Sequence, residues 1–300
     1  MVPPPPDGRL AWVDSELFPF ESHFLEVGGC RVHYVDEGEG PAVLMLHGNP
    51  TWSFLYRGII RRLRERMRCI ALDYPGFGLS SAPAGYGFLP AEHSRVVERF
   101  MLDLDLRQLT LMVQDWGGPI GFGAATRQPD RMAAFVVGNT WAWPFGGGDL
   151  TVQIFSRLMG GPIGGYLIKQ RNFFVEKIVP GGIKRRTPSE AVMDHYRRPF
   201  PTPESRRPVH VFPREILKSS DFLAEVERGL GGVADRPALL VWADRDPAFR
   251  AAAREHWERT FPNHETVMLH GAGHYLQEDA PEEVADAVLR WHPLLRESRQ

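Results

Sequence analysis

The stretch that decides the fold is LTLMVQDWGGPIGFGAA, from Leu109 to Ala125. It begins as an apolar, strand-like run and continues as a Gly- and Ala-rich segment with the composition of a close-packed helix start. Asp115 stands between the two, on what we predict to be a tight strand-to-helix turn. Such a turn needs small neighbours because the backbones pass closely. Gly117 and Gly118 meet that need, whereas Val113 occupies a position usually held by glycine.

The same strand-then-helix rhythm extends outward in both directions. Before the stretch come the β-rich runs RVHYVDE, AVLML and RCIALD, and after it come AAFVVG, ALLVW and ETVMLH. Helix-like segments at 51–66 and 90–104 separate the earlier runs. This alternation predicts an α/β fold with a largely parallel sheet covered by helices on both faces. The first strands, which end in EGEGP, are expected to pair antiparallel at one edge.

A segment of helical character interrupts this rhythm at residues 141–213. LTVQIFSRLM and SEAVMDHYRR show no β-rich alternation, and Gly and Pro punctuate the segment. A structureless loop of that length would be unusual in a compact domain. We therefore predict a helical cap at 141–213, inserted into a core domain formed by residues 17–140 and 214–297. Residues 1–16 are expected to form an N-terminal extension, and its four-proline opening is expected to be an extended, poorly ordered tail.

Composition excludes several classes of function. The chain has 300 residues, 43% of them hydrophobic, which is enough for a large core. Its 35 basic and 37 acidic side chains give a formal charge of −2. A nearly neutral chain has no long-range electrostatic attraction for nucleic acid, and it would bind an anionic membrane only weakly. A small molecule is the expected partner.

The chain also carries no recognisable targeting segment. Its start, MVPPPPDGRLAWVD, has neither a basic region nor an apolar core, and no stretch approaches the length needed to span a bilayer. We therefore expect a cytoplasmic protein. Cys30 and Cys69 each fall in or beside an apolar run, so we expect buried free thiols rather than a disulfide.

The chemistry of the predicted turn depends on its central residue. A serine there would indicate ester or amide hydrolysis through an acyl enzyme. Asp115 instead offers a carboxylate, which displaces a leaving group from saturated carbon and forms an alkyl ester that water must then cleave. The competing interpretation of Asp115 is a helix N-cap, since aspartate is favoured just before a helix.

A candidate base and its orienting acid favour the catalytic interpretation. His274 follows the last β-rich run in a Gly-x-Gly-His setting on a loop, although a lone histidine is more often structural. A histidine base needs an acid that holds its tautomer. After AAFVVG no carboxylate appears before Asp149, so the acid must follow ALLVW, where Asp244 and Asp246 stand. We favour Asp246, and interpret Asp244 as a turn residue or a surface partner of Arg245.

The loop HGNPTW at 47–52 supplies a fourth element. Backbone N–H groups of Asn49 and Trp116 are expected to face the carboxylate of Asp115 as an oxyanion hole. Their side chains are neutral donors, a carboxamide and an indole, which suit a large soft anion in a dry pocket. The alternatives are a turn residue before proline for Asn49 and a packed core aromatic for Trp116. His47 is expected to support the loop.

Taken together, HGNPTWSFLYR, DYPGFG, QDWGGPIG and GAGHYLQEDAP closely resemble the haloalkane dehalogenases, a family of the α/β-hydrolase fold. The resemblance runs through nearly all of residues 17–290. It implies a mostly parallel eight-stranded sheet with an inserted helical cap, a haloalkane substrate and a halide product. The chain also resembles a subfamily known for self-association, so a homo-oligomer is expected from the resemblance.

The resemblance also implies roles for individual residues. Asp115 would be the nucleophile, His274 would activate water, and Asn49 and Trp116 would bind the halide. Some members place the acid after the strand equivalent to AAFVVG, and others after the one equivalent to ALLVW. This chain resembles the latter, with Asp246. In some members a cap tryptophan replaces the asparagine, so Trp141 or Trp143 stays open as an alternative to Asn49.

Two rival functions remain. An epoxide hydrolase resembles this chain in fold, nucleophile, base and acid, but protonates its substrate with cap tyrosines, for which Tyr166 and Tyr196 are available. Asn49 and Trp116 argue against it, because an epoxide enzyme does not need halide ligands. The second rival is a non-catalytic small-ligand receptor.

The residues that argue against the receptor are the intact Asp115, His274 and Asp246. No metal is expected, because no cluster with ligand spacing such as H-E-x-x-H occurs. No nucleotide cofactor is expected either, because the chain has neither a P-loop nor a GxGxxG segment.

Overall fold

A single eight-stranded sheet forms the centre of the structure, a computed structural model that describes residues 12–146 and 149–292. The strands are β1 His23–Val27, β2 Cys30–Glu37, β3 Ala42–Leu46, β4 Arg68–Leu72, β5 Leu109–Asp115, β6 Met132–Thr140, β7 Ala238–Ala243 and β8 His264–Leu269. Their order is β1-β2-β4-β3-β5-β6-β7-β8. β2 pairs antiparallel with β1 and β4, and the remaining pairs are parallel. The predicted, mostly parallel α/β fold with an antiparallel edge is confirmed.

Helices connect the parallel strands and cover the sheet. They are α1 Arg57–Leu63, α2 Pro90–Asp103, α3 Gly117–Arg127, α4 Leu150–Gly160, α5 Pro162–Arg171, α6 Val179–Gly182, α7 Glu190–Arg197, α8 Arg207–Lys218, α9 Ser220–Gly229, α10 Ala251–Thr260, α11 Leu276–Asp279 and α12 Pro281–Trp291. α1 packs on α12, and α3 packs on both α2 and α9. The helix predicted at 51–66 begins later, after a 3-10 turn at Ser53–Tyr56. The side chain of Asp73 accepts the N–H of Ser53 (2.7 Å) and holds that turn.

The central strands are buried, as a sheet with two covered faces requires. All residues of β7 are buried, and so are all of β5 except its last, Asp115. β3, β5, β6 and β7 run parallel and therefore end at one edge of the sheet. In open α/β sheets this edge is where ligands bind.

In the described residues between β6 and β7, the chain forms helices α4 to α9 and a π-helical turn at Phe174–Ile178. The boundary predicted between residues 213 and 214 falls inside α8, which continues through Pro213. The helix continues because its apolar face is buried, with the ring of Phe212 packing on Phe77 and Trp116. The hydroxyl of Ser156 on α4 also donates to the carbonyl of Pro213 (2.7 Å). The division into core and cap domains stays a prediction.

The predicted N-terminal extension is only partly covered, because residues 1–11 lie outside the described residues. The four prolines lie among those residues, so the poorly ordered tail stays a prediction, whereas residues 12–16 pack against the rest of the chain. Val13 is buried, and the ring of Trp12 meets that of Trp52 at 5.9 Å. The N–H of Asp14 donates to Nε2 of His195 (3.0 Å). Apolar side chains after the proline run give this segment a surface to bury.

Both cysteines are buried free thiols, as predicted. Within residues 12–146 and 149–292, no helix is long and apolar enough to cross a membrane.

Candidate active site

Asp115 sits at the end of β5 on the predicted tight turn. Its φ is 51°, a left-handed conformation that is strained for a residue with a side chain. The next residues must be small: a Cβ added at Gly117 would lie 2.2 Å from the carbonyl oxygen of Leu46, and one at Gly118 would lie 2.0 Å from Oγ1 of Thr140. The turn thus brings the nucleophile candidate to the edge where the parallel strands end.

The neighbouring strand and helix secure this turn. The hydroxyl of Thr140, on β6, donates to the backbone carbonyl of Asp115. Val113 departs from the usual glycine of the motif, and α3 accommodates it with Gly121, where an added Cβ would lie 3.0 Å from Cγ1 of Val113.

The two carboxylate oxygens of Asp115 have different surroundings. Oδ1 accepts the backbone N–H of Asn49 (2.8 Å), and the backbone N–H of Trp116 also donates to the carboxylate. Oδ2 lies 3.8 Å from Nε2 of His274. Burial raises the pKa of Asp115, although His274 and the two N–H groups oppose that shift. Oδ1 is therefore held by a backbone amide, and Oδ2 faces the histidine.

His274 is held from its other side by Asp246. Nδ1 of His274 lies 2.9 Å from Oδ2 of Asp246, whose Oδ1 accepts the N–H of Ala248 (2.7 Å). Burial would raise the pKa of Asp246, but His274 and the donors around the carboxylate bring it below its usual value. Burial also lowers the pKa of His274, but the carboxylates of Asp246 and Asp115 outweigh it and raise the pKa to about 9. The structure thus brings the three predicted residues together.

Asp244, the alternative acid, lies outside this group. Its side chain accepts from Nδ1 of His270 (3.0 Å) and from the N–H of Gly271 (2.7 Å). These two donors lower the pKa of Asp244, and the charge of Arg245, the partner predicted from the sequence, lowers it further. The loop before His274 folds back on Asp244, a long-range contact that local sequence does not reveal.

Two polar residues of the site were missed in the sequence. Asn139, on β6, donates its side-chain amide to Oδ2 of Asp246 (2.8 Å), and its Oδ1 accepts the N–H of Ala243 (2.8 Å). Gln114, on β5, places its amide nitrogen 3.1 Å from Nε2 of His274 and 3.1 Å from the carbonyl oxygen of the same residue. Each is a polar residue near the end of an otherwise apolar strand. That position is the feature of the sequence that could have indicated a role in the site.

The predicted halide ligands lie at the same edge of the sheet. The amide nitrogen of Asn49 donates to the carbonyl of Val209 on α8 (3.1 Å), which leaves its second N–H for another acceptor. Trp116 is buried, and its ring packs against those of Trp141 (4.7 Å) and Phe212 (5.0 Å). In the part of the chain that the structure describes, the buried indole nitrogen of Trp141 has no hydrogen-bond partner.

The other aromatic candidates lie elsewhere. Trp143 stacks on His256 of α10, with 3.7 Å between ring centroids. Tyr166 is 58% exposed, and Tyr196 donates its hydroxyl to Glu278. Of the two tryptophans, Trp141 is the one that contacts Trp116. The surroundings of Tyr166 suit a surface role, and those of Tyr196 suit a structural role.

His47 supports the loop, as predicted. Its Nδ1 donates to the carbonyl of Gly48 (2.9 Å), and its Nε2 accepts the N–H of Tyr74 (3.2 Å). Burial lowers its pKa to about 4, so the ring is neutral. Among the residues described here, no group of three or more His, Cys, Asp or Glu side chains is placed to hold a metal ion.

The sequence and the fold of this chain are both similar to those of known proteins. A family model described as alpha/beta hydrolase fold matches residues 41–162 and 190–281. A protein of Mycobacterium bovis and Mycobacterium tuberculosis named haloalkane dehalogenase 2 is 46% identical over 278 residues, covering 92% of this chain and 96% of the relative. A Shewanella oneidensis protein named cis-3-alkyl-4-alkyloxetan-2-one decarboxylase is 32% identical over 279 residues, covering 89% and 87%. The solved structure of a haloalkane dehalogenase from Agrobacterium tumefaciens matches with a TM-score of 0.85 at 28% identity, over 95% of this chain and 99% of that one.

Proposed function

The chain belongs to the haloalkane dehalogenase family of α/β hydrolases, and we propose that it converts haloalkanes to alcohol, halide and a proton through an ester on Asp115. The enzyme is thus a hydrolase acting on carbon–halogen bonds. The observation that carries the residue assignment is the chain of contacts from Asp246 to His274 (2.9 Å) and from His274 to Asp115 (3.8 Å).

In the first step, Oδ2 of Asp115 attacks the halogen-bearing carbon. A carbon–oxygen bond forms as the carbon–halogen bond breaks, and the halide leaves with the bonding electron pair. The indole N–H of Trp116 and the free amide N–H of Asn49 stabilise the departing anion as neutral donors in a buried site. Because Oδ1 is already held by the backbone N–H of Asn49, Oδ2 is the oxygen free to attack.

In the second step, water attacks the ester carbon of Asp115 and gives its proton to Nε2 of His274. The backbone N–H groups of Asn49 and Trp116 stabilise the oxyanion that develops on Oδ1. Asp246 stabilises the imidazolium through Nδ1. The alcohol then departs and the carboxylate is regenerated with one oxygen from water.

The first step prepares the second electrostatically. In the resting enzyme the charges of Asp246 and Asp115 both raise the pKa of His274. Esterification neutralises Asp115 and removes one of these two charges, so the pKa of His274 falls. The histidine therefore becomes an effective base when there is an ester to hydrolyse.

Mixing the purified enzyme with three substrates tests the function. A 1-bromoalkane should release bromide, whereas an aryl epoxide should give no diol and a cis-3,4-dialkyloxetan-2-one should give no carbon dioxide. The third arm is included because of the Shewanella relative. Diol or carbon dioxide without bromide would refute the dehalogenase assignment, and turnover of none of the three would support a receptor.

The cap tyrosines support the choice over an epoxide hydrolase. The hydroxyl of Tyr196 is engaged with the carboxylate of Glu278, which also pairs with Arg57 (2.5 Å). Tyr166 is on the exposed face of α5. The two hydroxyls thus occupy a buried ion-pair network and the protein surface.

We also propose that the enzyme self-associates through an apolar patch on α4 and α5. Among the residues that the structure describes, the exposed large hydrophobic side chains lie on these two helices: Leu150, Ile154, Phe155, Leu158, Ile163 and Tyr166. Each of the six is at least 38% exposed, so together they form an apolar surface that a second copy would bury. A cytoplasmic location stays a prediction.

A second copy fits this patch by symmetry and charge. Leu150, Ile154 and Leu158 follow one another at i, i+4 and i+8, so they form a stripe along α4. A two-fold axis at Ile154 would pair two such stripes antiparallel. Asp149 at one end would then approach Arg157 of the second copy near the other, and the reverse, as an isologous interface requires.

A further inference from the structure

Gln114 is a buried polar residue that the mechanism does not yet use. It directly precedes Asp115 on β5 and is 1% exposed. Its amide nitrogen lies 3.1 Å from both Nε2 and the backbone carbonyl oxygen of His274. Within the described ranges, its Oε1 is buried and has no hydrogen-bond partner. A buried, half-satisfied amide beside a catalytic ring calls for a physical reason.

The carbonyl oxygen of His274 fixes the orientation of this amide. The reverse orientation would place Oε1 of Gln114 against that carbonyl, with two acceptors facing each other. The NH2 group therefore faces the carbonyl and Nε2 together. A donor pointing at Nε2 requires a lone pair there, so the contact suits the neutral ring with its proton on Nδ1, toward Asp246.

The two carboxylates beside His274 favour the protonated ring instead. Asp246 at Nδ1 (2.9 Å) and Asp115 near Nε2 (3.8 Å) both stabilise an imidazolium. Tyr275 is the adjoining ring, and burial holds its pKa well above the usual value, so it is neutral. The ammonium group of Lys184, in the segment after α6, donates a hydrogen bond to the carbonyl of Gly181. Gln114 is thus a neutral donor that opposes two carboxylates.

We propose that Gln114 is a positioning residue that favours the neutral ring of His274 in the alkyl-enzyme, with Nε2 unprotonated and directed toward the ester on Asp115. Gln114 thereby sets the pH above which the alkyl-enzyme is hydrolysed. This inference rests on the proposed function, because it takes His274 as the base of the second step.

Two variants test the role of the amide. Gln114→Glu replaces the donor with an acceptor of the same shape, and Gln114→Met removes the polar group while keeping the length. Gln277→Met is the matched control, because Gln277 is a buried glutamine whose amide interacts with Tyr56. For each protein, the bromide burst measures alkylation and intact mass measures the alkyl ester, at a series of pH values.

A donor lost at Nε2 should raise the pKa of the base. For Gln114→Glu we expect the rising limb of the hydrolysis rate to move up by about one pH unit, and for Gln114→Met by about half as much. The bromide burst should change less than about threefold, since alkylation does not use the base. At neutral pH, the ester on Asp115 should accumulate in Gln114→Glu and disappear when the pH is raised.

A pH-reversible adduct separates this role from a packing defect, which would lower the active fraction at every pH. Rising limbs of both variants within about 0.2 pH unit of the wild type and of Gln277→Met would overturn the role of Gln114. If Gln114→Glu folds poorly, an NMR titration of His274 in Gln114→Met decides, because an unshifted pKa of His274 would also overturn the role of Gln114. Wild type that releases no bromide would instead overturn the proposed function, and this inference with it.

Discussion

Asn139 and Asp246 share a hydrogen bond of 2.8 Å, made to the same carboxylate oxygen that meets Nδ1 of His274. Because this oxygen serves both partners, Asn139 fixes the direction from which Asp246 holds the base. The link crosses from β6 to the loop after β7. It therefore depends on the pairing of two strands that are far apart in the sequence.

Removing this amide should weaken both the fold and the catalysis. Asn139→Leu leaves the N–H of Ala243 and one lone pair of Asp246 unsatisfied, which costs about 1–3 kcal/mol of unfolding free energy. The hydrolysis rate should fall about tenfold as the acid loses its orientation. Chemical denaturation and steady-state bromide release measure the two effects. Asn263→Leu, at an exposed position, is the control, and equal loss in both variants would contradict the prediction.

Replacing the base should separate the two chemical steps. His274→Phe should release about one bromide per enzyme and then stop, because alkylation proceeds and hydrolysis does not. Intact-mass measurement should show one alkyl group on Asp115. Asp115→Asn should show neither bromide nor adduct. An unmodified aspartate in His274→Phe after long incubation with a reactive haloalkane would refute the two-step scheme.

The pH dependence should differ between the free and the alkylated enzyme. In the free enzyme, two carboxylates outweigh burial and raise the pKa of His274 to about 9, so the ring is protonated below that pH. Hydrolysis needs the neutral ring and should therefore increase as the pH rises. Esterification removes the charge of Asp115, so the midpoint of kcat should lie below the midpoint of an NMR titration of the free enzyme. Coincident midpoints would show that Asp115 does not perturb the base.

Halide binding should depend on the two predicted donors. We expect Trp116→Phe and Asn49→Ala each to weaken bromide binding about tenfold, since each removes one neutral N–H from a buried anion. Trp141→Phe should weaken it less than threefold, and Trp143→Phe serves as the control because Trp143 stacks on α10. Quenching of tryptophan fluorescence by bromide measures the affinity. A larger effect at Trp141 than at Asn49 would make Trp141 the second halide ligand.

Self-association should depend on the apolar patch. A charge placed at its centre by Ile154→Glu should lower the molecular mass measured by light scattering, because burying an unpaired carboxylate is unfavourable. Asn263→Glu adds the same charge at an exposed position before β8 and should leave the mass unchanged. Wild-type protein that remains monomeric at high concentration would contradict the interface.

The sequence predicts the sheet and the core of the site well because both depend on local patterns. The apolar run before Asp115, its small neighbours and the Gly-x-Gly-His setting of His274 are each readable within a few residues. Asn139 and Gln114 were missed because their significance lies in contacts made across strands. The ion-pair network of Glu278 and the packing of residues 12–16 also arise only from tertiary contacts, which no local pattern encodes.

The near-complete burial of Trp116 and Asn49, 3% and 7% exposed, also affects how a turnover ends. A bromide or chloride ion left between these donors has little access to bulk water, and it regains its hydration shell only after leaving them. The amide of Asn49 is tied to α8 through the carbonyl of Val209. We therefore expect release of the halide ion to limit kcat for substrates with good leaving groups. The rate of that release should depend on how readily α8 moves away from Asn49.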